Sequence, residues 1–277
     1  MLEKFKYINH KNEVLEFGSG SLFANENDLR NFEWTVSSQN DKISGFKKGI
    51  EKKSIPIIIK CDTAEKGLEM RNKIFEVTEK DVLANIPGKI VIGDYYLKCY
   101  VTGISKGDYL ISKQYMTADI DIQTDTASWI KEQTLTYKFI NEGSGGENVF
   151  LDHPHDYPFD YSRDATSKNI LNDSFVPTNF EIIIYGAVTN PAIHIGGNTY
   201  AVNVEIDTNE YLTINSIEKT IYLTRRTGEK INCFNYRDRN NYVFEKIPSG
   251  NRAVTANVAG LKFDITLYEE RSEPKWI

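Results

Sequence analysis

The sequence is poor in the residues that build covalent cross-links and many metal sites. Among its 277 residues there are three cysteines and four histidines. Cys61, Cys99 and Cys233 are odd in number, far apart and without CxxC spacing, which argues against a disulfide framework and against a structural zinc site. We therefore expect a protein that folds in a reducing cytosol and holds no metal and no cofactor.

Long apolar runs and an excess of positive charge are also missing. No stretch approaches the roughly 18 apolar residues of a membrane span, and residues 1–10 are polar, unlike a signal peptide. The formal net charge is -6 and the isoelectric point is about 5.4, whereas a general nucleic-acid binder needs a positive surface to displace counterions. We expect neither a membrane nor a specifically bound nucleic acid as a partner.

Local signatures of catalysis are absent as well. The chain has no GxSxG elbow, no P-loop, no HExxH motif and no Rossmann glycine fingerprint. Its many acidic residues could supply the two carboxylates of a glycoside hydrolase. The sequence does not give the distance between any two of them, so no pair can be chosen. The sequence therefore predicts no catalytic residue and a protein that is not an enzyme.

What the sequence does contain is typical of strands. Aromatic residues make up 12% of the chain, mostly Tyr and Phe, and they suit half-buried sheet surfaces. At about 150 residues per domain, the length indicates roughly two domains, and residues 141–147 have the composition of a flexible linker. We predict a mainly β protein with an N-terminal domain over 1–140, a linker and connection over 141–162, and a C-terminal β-sandwich or jelly roll over 163–277.

Residues 54–102 predict a strand, the one convincing helix and a hairpin. The helix should begin at Asp62 or Thr63 and end before Pro87. At 100° per residue its packed stripe would consist of Ala64, Leu68, Phe75 and Val82, with Ile74 beside it. Met70 and Val77 lie off that stripe and are either partly exposed or a second contact surface for a neighbouring subunit. The pair Gly93-Asp94 before Tyr95 is typical of a type II′ hairpin turn.

Two further patterns predict strand faces. Residues 116–124 alternate, so that Met116, Ala118, Ile120 and Ile122 should be buried while Asp119 and Asp121 share the other face. That carboxylate face is either a solvated strand surface or an acid/base or cation site. The alternation of Phe32, Trp34 and Val36 predicts a half-buried strand.

Three polar clusters have competing interpretations. Lys47, Lys48, Lys52 and Lys53 form either a solvated edge or a nucleic-acid patch. The residues Arg225, Arg226, Tyr236, Arg237, Arg239 and Tyr242 make a basic and aromatic cluster that is either a strand edge or subunit contact, or a site for a sugar, a phosphate or an acidic partner. The segment 152–161, with His153 and His155, is either a packed connection between domains or a metal site.

Short motifs in a fixed order resemble the distal tail proteins of long, non-contractile-tailed phages of Gram-positive bacteria. In the first half these are the helix with Asp81-Val82, Pro87-Gly88, the Tyr-Tyr-Leu-Lys-Cys-Tyr strand of residues 95–100, Trp129-Ile130 and the connection of residues 157–161. In the second half they are Gly186, Asn190-Pro191, Ile193, Gly197, Tyr200, the turn of residues 247–251 and the terminal residues 273–277. The motifs span nearly the whole chain, and none of them is catalytic.

The resemblance implies a hexameric ring at the virion tail tip, made in the host bacterial cytoplasm. The ring would join the tail tube to tail-associated and receptor-binding proteins, and the genome DNA would pass through it without specific binding. The N-terminal domain would be a β-sandwich of tube-like fold and the C-terminal domain a galectin-like β-sandwich. Candidate subunit-interface residues are Met70, Val77, Gly93, Asp94 and Tyr95, and candidate channel-lining residues are Asp119 and Asp121.

Two other functions compete with this structural role. A soluble carbohydrate-binding protein would act through the C-terminal β-sandwich, and a glycan hydrolase would use an unrecognised carboxylate pair. Rings of about six subunits would favour the structural role. Glycan binding by a monomer would favour the first alternative, and turnover lost on one acidic substitution would favour the second.

Overall fold

The computed structural model describes residues 4–110, 112–139 and 168–276. The chain divides into two compact units, Met1–Lys131 with Glu270–Ile277 and Glu132–Glu269. Residues 132–139 thus belong to the second unit and residues 270–276 to the first, while the predicted domain ranges stay a prediction. The predicted linker and connection at 141–162 lie outside the described residues.

The first unit is an antiparallel β structure with one long helix. Its elements are β1 (Phe5–Ile8), β2 (Val14–Phe17), β3 (Leu22–Ala24), β4 (Thr35–Gln39), β5 (Lys42–Lys47), β6 (Glu51–Lys60), α1 (Ala64–Ala84), β7 (Gly88–Ile92), β8 (Tyr95–Lys106), β9 (Tyr115–Thr124) and the start of β10 (Trp129–Lys138). No helix within the described ranges is long and apolar enough to cross a membrane.

The twelve-residue strand β8 links two sheets of the first unit. Its first half pairs with β7, which continues to β1 and β2. Its second half pairs with β9, which continues to β6 and β3. Side chains from both sheets, such as Tyr7, Ile90, Ile55 and Ile120, share one buried cluster, so the two sheets enclose a single core.

Several predictions for this unit are confirmed. Met116, Ala118, Ile120 and Ile122 are buried, as the alternation in β9 predicts. Ile92 pairs with Tyr95 across the predicted turn. Gly93 has φ +57° there, the positive value that the first central position of a type II′ turn requires.

The bounds of α1 are confirmed, but its buried face differs from the predicted one. Thr63 caps the helix by accepting a hydrogen bond from the Lys66 amide at 3.3 Å, and Asn85 ends it in the left-handed conformation. The buried residues are Gly67, Ile74, Val77, Thr78 and Asp81. The prediction that Leu68, Phe75 and Val82 pack on the sheet is wrong, because two polar side chains satisfied inside the unit occupy part of the packed face.

The second unit is built from two facing antiparallel sheets. Its elements are the rest of β10, β11 (Lys168–Asn172), β12 (Asn179–Tyr185), β13 (Val188–Thr189), β14 (Ala192–Ile195), β15 (Asn198–Ala201), β16 (Glu205–Ile206), β17 (Tyr211–Asn215), β18 (Thr220–Thr224), β19 (Lys230–Asn232), a one-turn 3-10 helix (Phe234–Tyr236), β20 (Gly250–Ala256) and β21 (Lys262–Arg271). One sheet has the order β19-β18-β17-β12-β21 and the other β11-β20-β14-β15.

Apolar side chains from both sheets fill the space between them. Ile182 and Ile265 come from the first sheet, and Ile193 and Val254 from the second, and all four are fully buried in one cluster. This arrangement is a β-sandwich. The prediction of a mainly β chain with one helix is therefore confirmed over the described residues.

Candidate assembly surfaces

The strands β4 and β5 form a two-stranded ribbon that pairs with no other strand of the described residues. Asn40 and Asp41 make its turn with φ of +52° and +57°, which is the geometry of a type I′ turn. A two-stranded ribbon is only marginally stable in water unless it packs against something. The ribbon is therefore the first candidate for a surface that another chain covers.

A β-bulge places all large apolar side chains of this ribbon on one face. Val36 pairs with Phe46, while Ser38 pairs with Ile43 because Ser44 is left out of the register. Directly paired residues share a face, so the bulge turns Ile43 to the same side as Phe46. We call this side the ribbon face and define it as Trp34, Val36, Ile43 and Phe46.

The ribbon face is exposed. Its four side chains are 45% to 63% accessible to solvent. The opposite side of the ribbon carries Thr35, Ser37, Gln39, Lys42 and Lys47. A monomer that leaves four large apolar groups together in water has a surface that favours association.

Two lysines hold the base of the ribbon to its unit. Lys48 Nζ donates to the Ala127 carbonyl at 2.9 Å and lies 4.9 Å from the centre of the Trp34 ring. The buried Lys53 donates to the Asn31 carbonyl at 2.5 Å. Lys48 and Lys53, two of the four lysines in the predicted group, therefore contact groups of their own unit. These contacts favour a charged strand edge over a nucleic-acid patch.

The helix α1 carries a second exposed apolar surface. Leu68, Phe75 and Val82 recur every seven residues and are 42% to 54% accessible, so they form one line along the helix. We call this line the helix stripe. The same residues were predicted as the packed face, and the structure places them beside it.

A loop and a polar network fix the position of the helix. Arg71 donates to the carbonyls of Ser112 and Tyr115, both at 2.6 Å. Asp81 is fully buried and accepts from the Tyr7 hydroxyl and from the His10 amide at 2.9 Å. Burial and the bond to Asp81 raise the pKa of the Tyr7 hydroxyl, which keeps it protonated as a donor. These contacts hold α1 against its own unit, while the side chains of the helix stripe remain exposed.

The predicted interface residues lie in different environments. Val77 and Tyr95 are in the core of their own unit, and Met70 packs against that core, so Val77 and Tyr95 offer no side-chain surface to another chain. Gly93 and Asp94 form the exposed turn, where Asp94 pairs with Lys131 at 3.1 Å. Of the five candidate interface residues, only Gly93 and Asp94 are exposed.

The predicted carboxylate face lies on the outer side of β9. Asp119 is exposed, and Asp121 forms an ion pair with Lys52 at 2.8 Å. Pro56 and Ser54 of β6 pair with these two residues. Across the described ranges no group of three potential ligand side chains could hold a metal ion. His153 and His155 lie outside the described residues.

The second unit has two surface features. In the predicted basic cluster, Arg225 pairs with Glu210 at 2.7 Å and Arg237 stacks on the Phe234 ring, so both have structural partners, while Tyr236 and Tyr242 are exposed.

An open groove of about 330 Å³ is lined by His194, Ile195, Gly196, Gly197, Asn251, Arg252, Ala253 and Thr255. The residues that line this groove include no Phe, Tyr or Trp. Pockets that bind small molecules are usually lined by apolar and aromatic side chains.

Solved phage structures share this fold. The Dit protein of phage SPP1, described as a paradigm of the hub adsorption apparatus in phages that infect Gram-positive bacteria, matches with a TM-score of 0.60 and 11% identity over 96% of this chain and 99% of that chain. A chain of the phage P2 baseplate in its activated conformation with Ca matches with a TM-score of 0.60 and 13% identity over 99% and 100%. The phage p2 baseplate with Sr gives a TM-score of 0.60 and 12% identity over 98% and 99%.

These likenesses cover 96% to 99% of this chain and 99% to 100% of the phage chains. At such low identity they establish the fold, and the predicted resemblance to distal tail proteins is confirmed at that level. No family model and no curated protein matches the sequence.

Proposed function

We propose that the chain is a structural hub protein of a phage tail tip. Six copies would form a ring that joins the tail tube to tail-associated and receptor-binding proteins. The observation that carries this proposal is a shared fold over the whole chain with proteins described as a phage hub and as baseplate components. The location in the virion tail follows from the same proposal.

The exposed apolar surfaces of the first unit support an assembling protein. Ribbon face and helix stripe differ in structure and lie on different elements, so a contact between them would join unlike surfaces of two copies. Contacts of this head-to-tail kind produce closed rings when the rotation between neighbours closes. A ring therefore accounts for two surfaces that a monomer leaves in water.

The outer face of β9 supports a passage for DNA. We place Asp119 and Asp121 on the channel wall, where carboxylates repel phosphate groups and keep DNA from adhering. The ion pair between Asp121 and Lys52 reduces the negative charge of this face, so Asp119 would supply most of the repulsion. A role of this kind needs no catalytic group and no cofactor.

Light scattering during size-exclusion chromatography, followed by negative-stain imaging, tests the proposal. We expect rings of about six subunits and labelling of tail tips by an antibody against the chain. A chain that stays monomeric and is absent from tails would contradict the hub. A glycan array run in parallel tests the carbohydrate-binding alternative, which predicts glycan binding lost on Arg252→Ala in the groove.

A further inference from the structure

We propose that the outward face of the sheet β19-β18-β17-β12-β21 in the second unit binds an arginine-bearing surface of a partner protein. The arginine of the partner would lie on the ring of Tyr268 and pair with Glu181. The inference rests on the proposed hub only in that the chain has protein partners, and it adds the chemistry by which one of them is held. We call this surface the tyrosine face and define it as Ile183, Tyr185, Tyr211, Tyr222 and Tyr268.

The strand register places the tyrosine face on the side of the sheet that points away from the core. Ile182 and Ile184 of β12 are fully buried, so the residues that follow each of them point outward. The same alternation in β21 buries Leu267 and turns Tyr268 outward. Directly paired residues share a face, and the pairs across the sheet are Tyr185 with Tyr211, Ile183 with Thr213, and Thr213 with Tyr222.

The composition of this face differs from that of a solvated sheet surface. Outward positions that face water are usually polar, whereas the tyrosine face has one isoleucine and four tyrosines that are half-buried or exposed. In the other sheet of the same unit, the outward residues beside the groove are His194, Ala253 and Thr255, and none of them is aromatic. Tyrosine and arginine are enriched where proteins meet, so the contrast favours the tyrosine face as a binding surface.

One end of the tyrosine face already holds a cation of the same chain. Lys262 Nζ lies 5.3 Å from the centre of the Tyr185 ring. A cation within about 6 Å of a tyrosine ring is attracted by the π electrons of the ring. Lys230 ends the same row of paired residues on the opposite edge of the sheet. Both lysines therefore lie at the end of the face that Tyr185 occupies.

The other end, about 20 Å further along β21, has a ring and a carboxylate without a cation. Glu181 pairs with Thr266, two residues before Tyr268, and diagonal neighbours of this kind are within reach of an aromatic side chain. Burial and, after it, the charge of Glu181 raise the pKa of the Tyr268 hydroxyl. Among the described residues Glu181 forms no ion pair, and no lysine or arginine lies over the Tyr268 ring.

Glu181 is also held in position for a ligand. Its Oε2 accepts a hydrogen bond from Asn215 Nδ2 at 3.0 Å, which restricts the side chain. A guanidinium can stack on an aromatic ring while its N–H groups bond to a carboxylate, and its methylene stem can cover an apolar neighbour such as Ile183. Complementary charge thus favours an arginine at this end, as a counterpart to the lysine on Tyr185 at the other.

Binding of a labelled peptide by the purified chain tests the site. The probe is an extended peptide in which arginine alternates with leucine, and fluorescence anisotropy is measured at about 0.15 M salt, where long-range attraction is screened. We expect Glu181→Gln to weaken binding about tenfold because a charge-assisted hydrogen bond is lost, although glutamine can still accept from Asn215. Tyr268→Leu removes the ring and keeps an apolar side chain, and it should weaken binding about threefold or more.

Two controls distinguish this site from a general attraction to an acidic chain. Glu205→Gln removes the same charge from an exposed position of the second unit and should leave binding unchanged. A peptide with lysine in place of arginine has the same charge, and it should bind more weakly because lysine lacks the planar fork. Equal losses from the two glutamate variants, equal binding of the two peptides, or no binding of the arginine peptide would each overturn the proposal.

Labelling of a single thiol tests whether a partner covers the face in the particle. Tyr222→Cys places a thiol on the tyrosine face, and the native cysteines are all buried. A maleimide should modify this thiol in the purified chain at least about tenfold faster than in isolated tails, because a partner that covers the face excludes the reagent. Glu205→Cys is the control, and we expect it to react at the same rate in both.

The outcomes separate this inference from the proposed hub. Equal reactivity of the Tyr222→Cys thiol in purified rings and in tails would overturn the partner surface and leave the hub intact. Arginine-specific peptide binding by a chain that is monomeric and absent from tails would refute the hub and leave the arginine site intact. Glycan binding that is lost on Glu181→Gln would overturn the proposal, because the face would then hold a carbohydrate.

Discussion

At the scale of single residues, one buried carboxylate ties the first strands to the end of the helix. Asp81 Oδ1 accepts from the His10 amide and lies 2.6 Å from His10 Nδ1, while the Tyr7 hydroxyl donates to Asp81 Oδ2. A buried carboxylate is tolerated only when its oxygens are satisfied. This network explains why a charged residue belongs to the packed face of α1.

Replacing one donor of this network should destabilise the first unit. Tyr7→Phe leaves Asp81 Oδ2 without its hydroxyl donor, and we expect a loss of about 1–3 kcal/mol in the free energy of unfolding. Urea denaturation followed by fluorescence measures it. The matched control is Tyr185→Phe, which removes a 2.6 Å bond to Asp264 at a partly exposed site. An equal loss in both variants would contradict the importance of burial.

Buried tyrosines predict alkaline instability of the second unit. Burial raises the pKa of Tyr200 from 10.0 to about 12, and the bond to Asp264 together with partial burial raises that of Tyr185 to about 12. Between pH 10 and 12 the unfolded chain loses these protons while the folded chain keeps them, so stability is full below pH 10 and falls as the pH rises through this window. Denaturation at a series of pH values should show the fall, and it should be shallower in Tyr200→Phe. A slope identical to that of the unmodified unit would contradict this origin.

At the scale of elements, the helix depends on a close approach that only glycine permits. A Cβ at Gly67 would collide with the Lys113 carbonyl. In an open helix Gly→Ala stabilises by about 1 kcal/mol, but here we expect Gly67→Ala to destabilise by about 1–3 kcal/mol because the backbone must shift. Thermal and urea unfolding measure the sign of the change. Gly45→Ala in the ribbon, where a Cβ meets nothing, should leave stability nearly unchanged, and stabilisation by Gly67→Ala would refute the argument.

The same helix shows what periodicity can and cannot predict. Its bounds follow from local chemistry, since Thr63 caps it and Pro87 lies beyond its end, and these were predictable. Its orientation was not, because a hydrophobic pattern alone cannot show that Thr78 and Asp81 find partners inside the unit. Thr78 Oγ1 donates to the Ile74 carbonyl at 2.8 Å. The apolar line was therefore recognisable from the sequence, but its predicted burial against the sheet was wrong, because Leu68, Phe75 and Val82 are exposed.

The ribbon shows a related limit. Alternation through Phe32, Trp34 and Val36 predicts a half-buried strand, but this is wrong: β4 begins only at Thr35, and all three side chains are exposed. The exposure of this face depends on which strands lie next to it, and β4 and β5 pair only with each other within the described ranges. The position of Ile43 depends on a bulge that no residue type specifies. An exposed apolar surface resembles a core surface at the level of sequence.

At the scale of the whole molecule, the order of short motifs predicted the fold better than any single pattern did. Strand alternation indicated a β-rich chain with one helix, and the resemblance to distal tail proteins extended that to a specific architecture. The phage structures confirm the architecture at 11% to 13% identity. The exposed apolar surfaces of the first unit could be identified only from the arrangement of side chains in space, because the sequence pattern does not show which apolar residues are buried.

The proposed channel wall leads to a prediction for the intact particle. Reversing Asp119 and Asp121 to Lys would make the outer face of β9 positive on every subunit, because Lys52 already lies beside Asp121. Phosphate groups would then adhere to a wall that otherwise repels them, and we expect slower DNA release at low salt, with recovery as salt screens the attraction. Release from particles that carry the Asp119→Lys, Asp121→Lys chain can be followed by the fluorescence of a DNA-binding dye.

Particles with Asp238→Lys and Glu218→Lys in the second unit provide the charge-matched control. Normal release from the β9 variant, with both residues outside the lumen in a structure of the tail, would exclude this face from the channel.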